Sequence, residues 1–175
     1  MASSLHQLPA HVAHSRTLVH VVVETPKGSR NKVAFDPDLA VFMLKGVLPE
    51  GHSFPYDFGF VPSTLAADGD PLDVLLLLDA PAFPGCVVEA RLLGALEIEQ
   101  RETDGTVQRN DRLIAVAAHS REHKQLHALT DLSPDMLHEV EHFFHSYNEV
   151  KGGKIKVLRR VGPEQAHHLL THALT

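Results

Sequence analysis

Asp68, Asp70 and Asp73 fall within six residues, in "DGDPLD", and a continuous apolar run from Val74 to Leu78 follows at once. In a locally extended chain Asp68 and Asp70, at i and i+2, share one face. Pro71 then bends the path, so that Asp73 can converge on the same point. Converging carboxylates raise one another's pKa unless something positive lies between them. A hard divalent cation such as Mg²⁺ removes that penalty and prefers carboxylate oxygen. Asp, Gly and Pro are also ordinary turn residues, and an isolated "DGDP" reads as a solvated turn. The third aspartate argues otherwise, because a charge at the entrance of a buried strand must be paired, ligating or expelled. The expectation is that all three carboxylates lie within reach of one cation.

Known motifs narrow the chemistry. An EF-hand needs Gly at its sixth position, where counting from Asp68 gives Asp73, and its turn would run through the apolar Leu75–Leu78. A phosphatase that uses a phospho-aspartate places its carboxylates after a hydrophobic strand, whereas here the strand follows them. One rival survives in the letters: "HEVEH" puts His138 and His142 on one helical face with Glu139 between, the pattern of a zinc peptidase, with Glu164 available downstream. Fourteen histidines make a chance match easier, and Leu137, Val140 and Phe144 give the same helix an ordinary core stripe. Cys86, between Gly85 and Val87, reads as a small packed apolar residue rather than a nucleophile.

The elements that would position these groups are mainly strands. "TLVHVVVET" (17–25) is rich in β-branched residues and ends at Pro26; "NKVAF" (31–35) alternates after a "PKGSR" turn, predicting a hairpin. "VFMLKGVLP" (41–49) is a further strand, 74–78 a fully buried one, and "CVVEARLLGALEIE" (86–99) and "DRLIAVAA" (111–118) two more. "FPYDFGFVPST" (54–64) mixes aromatics with Pro and Gly and reads as an ordered loop. Helices come late: Ser133 as N-cap and Pro134 at the first helical position open one, and "GPEQAHHLLTHAL" (162–174) fits another. A β-rich body followed by helices predicts a barrel or closed sheet with helices outside it. Residues 1–16 read as a loosely held arm and 17–175 as a single domain.

Composition bounds the rest. The 175 residues suffice for one well-buried core. With 43% hydrophobic and 22% charged residues the chain is ordinary globular material. Sixteen Lys and Arg against 22 Asp and Glu give a formal net charge of −6, which disfavours a nonspecific nucleic-acid or membrane binder. One cysteine forms no internal disulfide, "MASSLHQLPAHVAHSRT" lacks an apolar signal region, and the longest apolar runs fall far short of the ~20 residues a membrane helix needs. The expectation is a cytoplasmic protein.

"DGDPLDVLLL" resembles the signature D-[SG]-D-P-x-D of the soluble family I inorganic pyrophosphatases at every required place. The likeness extends to "FPYDFGFVPSTLAADGDPLDVL", "VVVETPKGSRNKVAF", "DRLIAVA" and "HFFHSYN", and covers roughly residues 18–170. It implies a distorted five-stranded, OB-like β-barrel with two C-terminal helices (mainly β, α+β), Mg²⁺-dependent hydrolysis of pyrophosphate by metal-activated water, and a homo-oligomer, commonly a hexamer. Carried over residue by residue, Asp68 and Asp73 hold metals and Asp70 accepts the proton of the attacking water as well as ligating. Glu24 assists at a metal near the leaving group, and Lys32, Lys45 and Arg112 contact phosphate. Tyr147 matches a tyrosine that hydrogen-bonds phosphate, although its place on the helix's apolar side fits core packing equally.

Several positions depart from the family pattern. Ala34 stands where a second Glu is usual, Phe54 and Phe58 replace tyrosines, and Asn148 replaces a Lys after the phosphate-binding Tyr. Asn110 aligns with a metal-ligating Asp, and alternation along the strand places it on the side of Arg112, making it a neutral carbonyl ligand ahead of the adjacent Asp111. Gln100 aligns with another metal Asp, with Glu99 beside it. These changes leave room for a diverged inactive relative, or a hydrolase of another phosphoanhydride.

Overall fold

A computed structural model describes residues 4–175; the first three residues of the expected arm lie outside the described residues. Nine strands and two α-helices follow in order: β1 (Leu18–Thr25), β2 (Asn31–Asp36), β3 (Val41–Val47), β4 (Asp57–Phe60), β5 (Asp73–Leu77), β6 (Val87–Arg101), β7 (Val107–Arg109), β8 (Arg112–Ala117), α1 (Pro134–Val150), β9 (Lys154–Val161) and α2 (Pro163–Ala173). Five strands close on themselves as β1–β4–β5–β8–β6, with β6 returning to pair β1. The long β6 also carries β7 and β9, and β2 and β3 form a separate hairpin.

The apolar run after Asp73 is continuous because both of its faces are covered. Leu75 and Leu77, with Ile114 and Val116 of β8, pack toward Leu137, Val140 and Phe144 of α1. Val74 and Leu76, with Leu113 and Ala115, pack toward Ala166 and Leu170 of α2. Strand alternation then puts Asp73 and Arg112, the first residues of β5 and β8, on the α1 side at one end of a parallel pair. Ser133 caps α1 by accepting from the Met136 amide at 3.2 Å, as its sequence predicts.

Three strands depart from the sequence reading. Residues 57–60, expected as loop, form β4 between β1 and β5. Gly59 permits it, because a Cβ there would fall on the Val22 backbone oxygen of β1. β7 is only three residues long, and β9 loses its alternation at the exposed run Leu158, Arg159 and Arg160, so neither carries a strong period.

Residues 4–16 lie against this body. Leu5–Gln7 make one 3-10 turn, Ala10 is buried, and the His20 amide donates to the Ala10 carbonyl at 2.8 Å.

Candidate active site

Nine of the residues singled out above for the pyrophosphatase-like site reach one cavity of about 720 Å³ at the mouth of the closed sheet. Asp68, Asp70 and Asp73 line it from the loop entering β5, and Glu24 from the end of β1. Lys32 and Lys45 come from the hairpin, Asn110 and Arg112 from the start of β8, and Tyr147 from α1.

The hairpin is tied to the mouth by Thr25, whose hydroxyl donates to the Val33 carbonyl at 2.8 Å and accepts from the Val33 amide at 3.0 Å. Alternation along β2 then turns Lys32, Ala34 and Asp36 inward together. On β3 the register skips one residue, since Lys32 pairs Gly46 while Val33 pairs Leu44. The extra residue is Lys45, and a bulge is a means of re-aiming a side chain. Its Nζ stands 3.3 Å from Asp36 Oδ2.

Glu24 is 7% exposed. Its Oε1 accepts from the Phe35 amide at 2.8 Å, and Lys32 Nζ approaches Oε2 at 3.9 Å. Burial outweighs both and pushes its pKa up to about 7, with Asp73 and Asp70 adding to the rise. Asp68 is also raised, first by burial and further by Asp73 and Asp70. Two carboxylates raised chiefly by burial, with neighbouring carboxylates adding to the rise, are groups whose charged forms the metal-free fold disfavours. That is the electrostatic setting of a cation site, and the donors are the oxygens that Mg²⁺ prefers.

One geometric expectation is not met. The carboxylate oxygens of Asp68, Asp70 and Asp73 do not close to a common point; among the described residues the only trio within 4.8 Å is Asp79, Glu122 and His123, elsewhere on the surface. The physical reason lies in Arg112, whose Nη1 bonds both Asp73 Oδ2 and Asn110 Oδ1. The guanidinium ties Asp73 to Asn110 at the start of β8. Asp79 is the anchor of its own loop, accepting from the Ser120 hydroxyl and the Arg121 amide.

The second cluster is built on two neutral amides, with Glu102 as its carboxylate in the cavity wall. Asn110 Nδ2 donates to Gln100 Oε1 at 2.9 Å, and Gln100 in turn donates to Glu102. Asp111 points the other way, accepting from the Ile98 amide at 2.9 Å and from Arg109. Neither Asp111 nor Glu99 lines the cavity. Phe54 and Phe58 form a ring surface beneath Lys32, whose Nζ is 4.2 Å from the Phe58 centroid. Tyr147 stacks on Phe143 at 5.7 Å yet still reaches the cavity, joining both of its sequence readings.

The zinc-peptidase pattern does not assemble. His138, Glu139 and His142 are exposed on α1, line no part of the cavity, and belong to no metal-capable trio among the described residues.

Sequence reasoning passed over His6, Asp36 and Lys151, which line the same cavity. The His6 ring sits 4.7 Å from Phe60 and 5.2 Å from Phe35, and its carbonyl accepts from the Ser63 amide at 2.8 Å. Ser63 also donates its hydroxyl to the Leu8 carbonyl at 2.8 Å, and its own carbonyl accepts from the Thr175 amide at 3.1 Å. With φ at 53°, Ser63 is held in the left-handed region between segments from opposite ends of the sequence, a few residues before Asp68. Nothing in a single sequence marks such a clasp, whereas Lys151 could have been found by counting one helical turn on from Tyr147.

Residues 21–175 match the family model for inorganic pyrophosphatase. An inorganic pyrophosphatase from Synechocystis sp. is 40% identical over 81% of this chain and 80% of the relative. One from Thermus thermophilus is 40% identical over 83% and 80%. Of solved structures, the inorganic pyrophosphatase from Thermus thermophilus superposes with a TM-score of 0.88 at 36% identity, covering 98% of this chain and 97% of its own. That from Neisseria gonorrhoeae gives 0.84 at 31% identity, covering 96% and 95%.

Proposed function

The chain belongs to the inorganic pyrophosphatase family, and from that premise we propose that it hydrolyses pyrophosphate to two orthophosphates with Mg²⁺ as cofactor. The observation that carries the reading is the single cavity in which Asp68, Asp70, Asp73 and Glu24 face Lys32, Lys45 and Arg112. An acidic site alone repels a polyanion; carboxylates that hold a metal cation, beside cationic side chains, accept one.

Asp68, Asp73 and Glu24 would hold Mg²⁺, with Asn110 contributing a neutral carbonyl and Asp70 a further oxygen. Bound there, Mg²⁺ supplies the charge that acidifies water and neutralises phosphate oxygens. Asp70 takes the proton of the attacking water. The water oxygen forms a bond to one phosphorus as the bridging P–O bond breaks, and the leaving phosphate keeps that electron pair. Lys32, Lys45 and Arg112 neutralise the oxygens on which charge accumulates, and the Tyr147 hydroxyl donates to a phosphate oxygen. Arg112 is already bonded to Asp73, so it would exchange that partner in part for phosphate as Mg²⁺ and substrate enter.

The catalytic unit would comprise residues 17–175, preceded by the arm 1–16. The net charge of −6 speaks against a nonspecific nucleic-acid or membrane-surface partner and accords with a cytoplasmic setting; no described helix is long and apolar enough to cross a membrane. Exposed Leu39, Val41, Leu44 and Val47, on and beside β3, support a homo-oligomer, a hexamer by family likeness. The test is phosphate release from pyrophosphate with Mg²⁺, with EDTA, and with Asp70→Asn. Absence of Mg²⁺-dependent release from folded protein sinks the reading. The neutral Gln100–Asn110 pair favours a second reading, a relative specialised for another phosphoanhydride, which the same assay detects as release from a nucleoside triphosphate without release from pyrophosphate.

A further inference from the structure

Four cationic side chains line the cavity, and three are committed to carboxylates: Lys32 to Glu24, Lys45 to Asp36, and Arg112 to Asp73. The fourth, Lys151, makes no ion pair among the described residues. It stands at the end of α1, one turn on from Tyr147, with its Nζ 4.4 Å from the Tyr147 ring centroid. Asn148, directly after Tyr147, brings no charge to the wall: it is 4% exposed and donates its amide to the Phe144 carbonyl at 2.9 Å.

We propose that Lys151 is a substrate-binding residue of this enzyme, contacting a phosphate of pyrophosphate from the face of Tyr147; this rests on the pyrophosphate reading. A carboxylate partner orients an ammonium group but cancels its charge. An aromatic face orients it and leaves the charge available, because the attraction is to the ring's quadrupole. The Tyr147 hydroxyl and the Lys151 ammonium thus present two adjacent donors, one neutral and one charged, both held by α1. The flexible Lys side chain is already confined over the ring, so less freedom is lost when substrate binds.

Lys151→Gln, Lys151→Arg and the remote exposed Lys124→Gln are compared in two measurements: steady-state hydrolysis of pyrophosphate at saturating Mg²⁺, and calorimetric binding of the non-hydrolysable imidodiphosphate. Loss of one charge-assisted contact at a partly open site is expected to raise KM, and the imidodiphosphate Kd, about tenfold, with kcat within about twofold. Arg is expected to restore both constants to within about threefold, and Lys124→Gln to move neither. An unchanged KM and Kd in Lys151→Gln overturns the proposal, as does an equal loss in Lys124→Gln, which would make the effect one of net charge. The binding arm needs no turnover. A wild-type protein that binds imidodiphosphate through Lys151 without releasing phosphate refutes the hydrolysis reading and leaves this one standing.

Discussion

Glu24 makes the cavity's electrostatics measurable as stability. Burial carries its pKa from 4.5 to about 7, against the weaker opposing pull of Lys32 and the Phe35 amide. The folded protein therefore holds this proton in a range where the unfolded chain has released it. Where the native state binds more protons, stability falls as pH rises. The loss from Glu24 begins near pH 4.5 and is complete above about pH 7, where it amounts to roughly 3 kcal/mol. Glu24→Gln removes the ionisation while its carbonyl oxygen keeps the bond from the Phe35 amide. In EDTA, the melting temperature of the variant relative to wild type is expected to rise between pH 5 and pH 8 by about 5–10 °C, at 2–4 °C per kcal/mol for a chain of this size. The difference between the two proteins is the quantity to read, since His6 and His167, whose burial lowers their pKa values, push both curves the opposite way. Scanning calorimetry across that range is the assay. Parallel curves for variant and wild type would refute the assignment of a burial-raised pKa to this carboxylate.

Other residues give sharper single outcomes. Asp70→Asn is expected to cut phosphate release by about 10²- to 10⁴-fold, the usual worth of a general base, with circular dichroism unchanged. Asn110→Asp exchanges a neutral carbonyl for a carboxylate and is expected to lower half-saturating Mg²⁺ at least about threefold, as a coordinating carboxylate gains over a neutral carbonyl; an unaltered Mg²⁺ titration counts against Asn110 as a ligand. Gly59→Ala drives a methyl into the Val22 carbonyl and is expected to destabilise by about 3 kcal/mol or more, or to prevent soluble expression, since backbone on both sides cannot yield. Ser63→Ala removes the bond to Leu8 and is expected to lower the melting temperature by about 2–4 °C, near 1 kcal/mol.

The secure parts of the sequence reading were those in which local pattern and burial agree. β1, β5, β6 and β8 are long or strongly apolar, and α1 announces its start with Ser133 and Pro134. β4 escaped because its partners on both sides, β1 and β5, are distant in sequence, and its Pro- and Gly-rich flanks speak for a loop. Asn110 was placed on the cavity side by alternation alone, and the structure puts its oxygen on Arg112. Carboxylate spacing alone does not reveal the guanidinium that the β5–β8 register sets beside Asp73. Lys151 is hidden in the sequence because the neighbour of Tyr147 in space is a helical turn away, not the adjacent Asn148.

The clasp at Ser63 has a dynamic consequence. Segments near residues 6–8 and 173–175 hold the same short stretch through a few single hydrogen bonds, and contacts so sparse open at lower cost than a packed core. Release of either one frees a left-handed serine to relax, and the Ala66–Asp73 loop beyond it loses its fixed base. Sub-global opening is thereby coupled to the carboxylates themselves. Heating should extinguish catalysis at a temperature where amide exchange in β5 and β8 is still slow, so that loss of activity and loss of fold separate as two events.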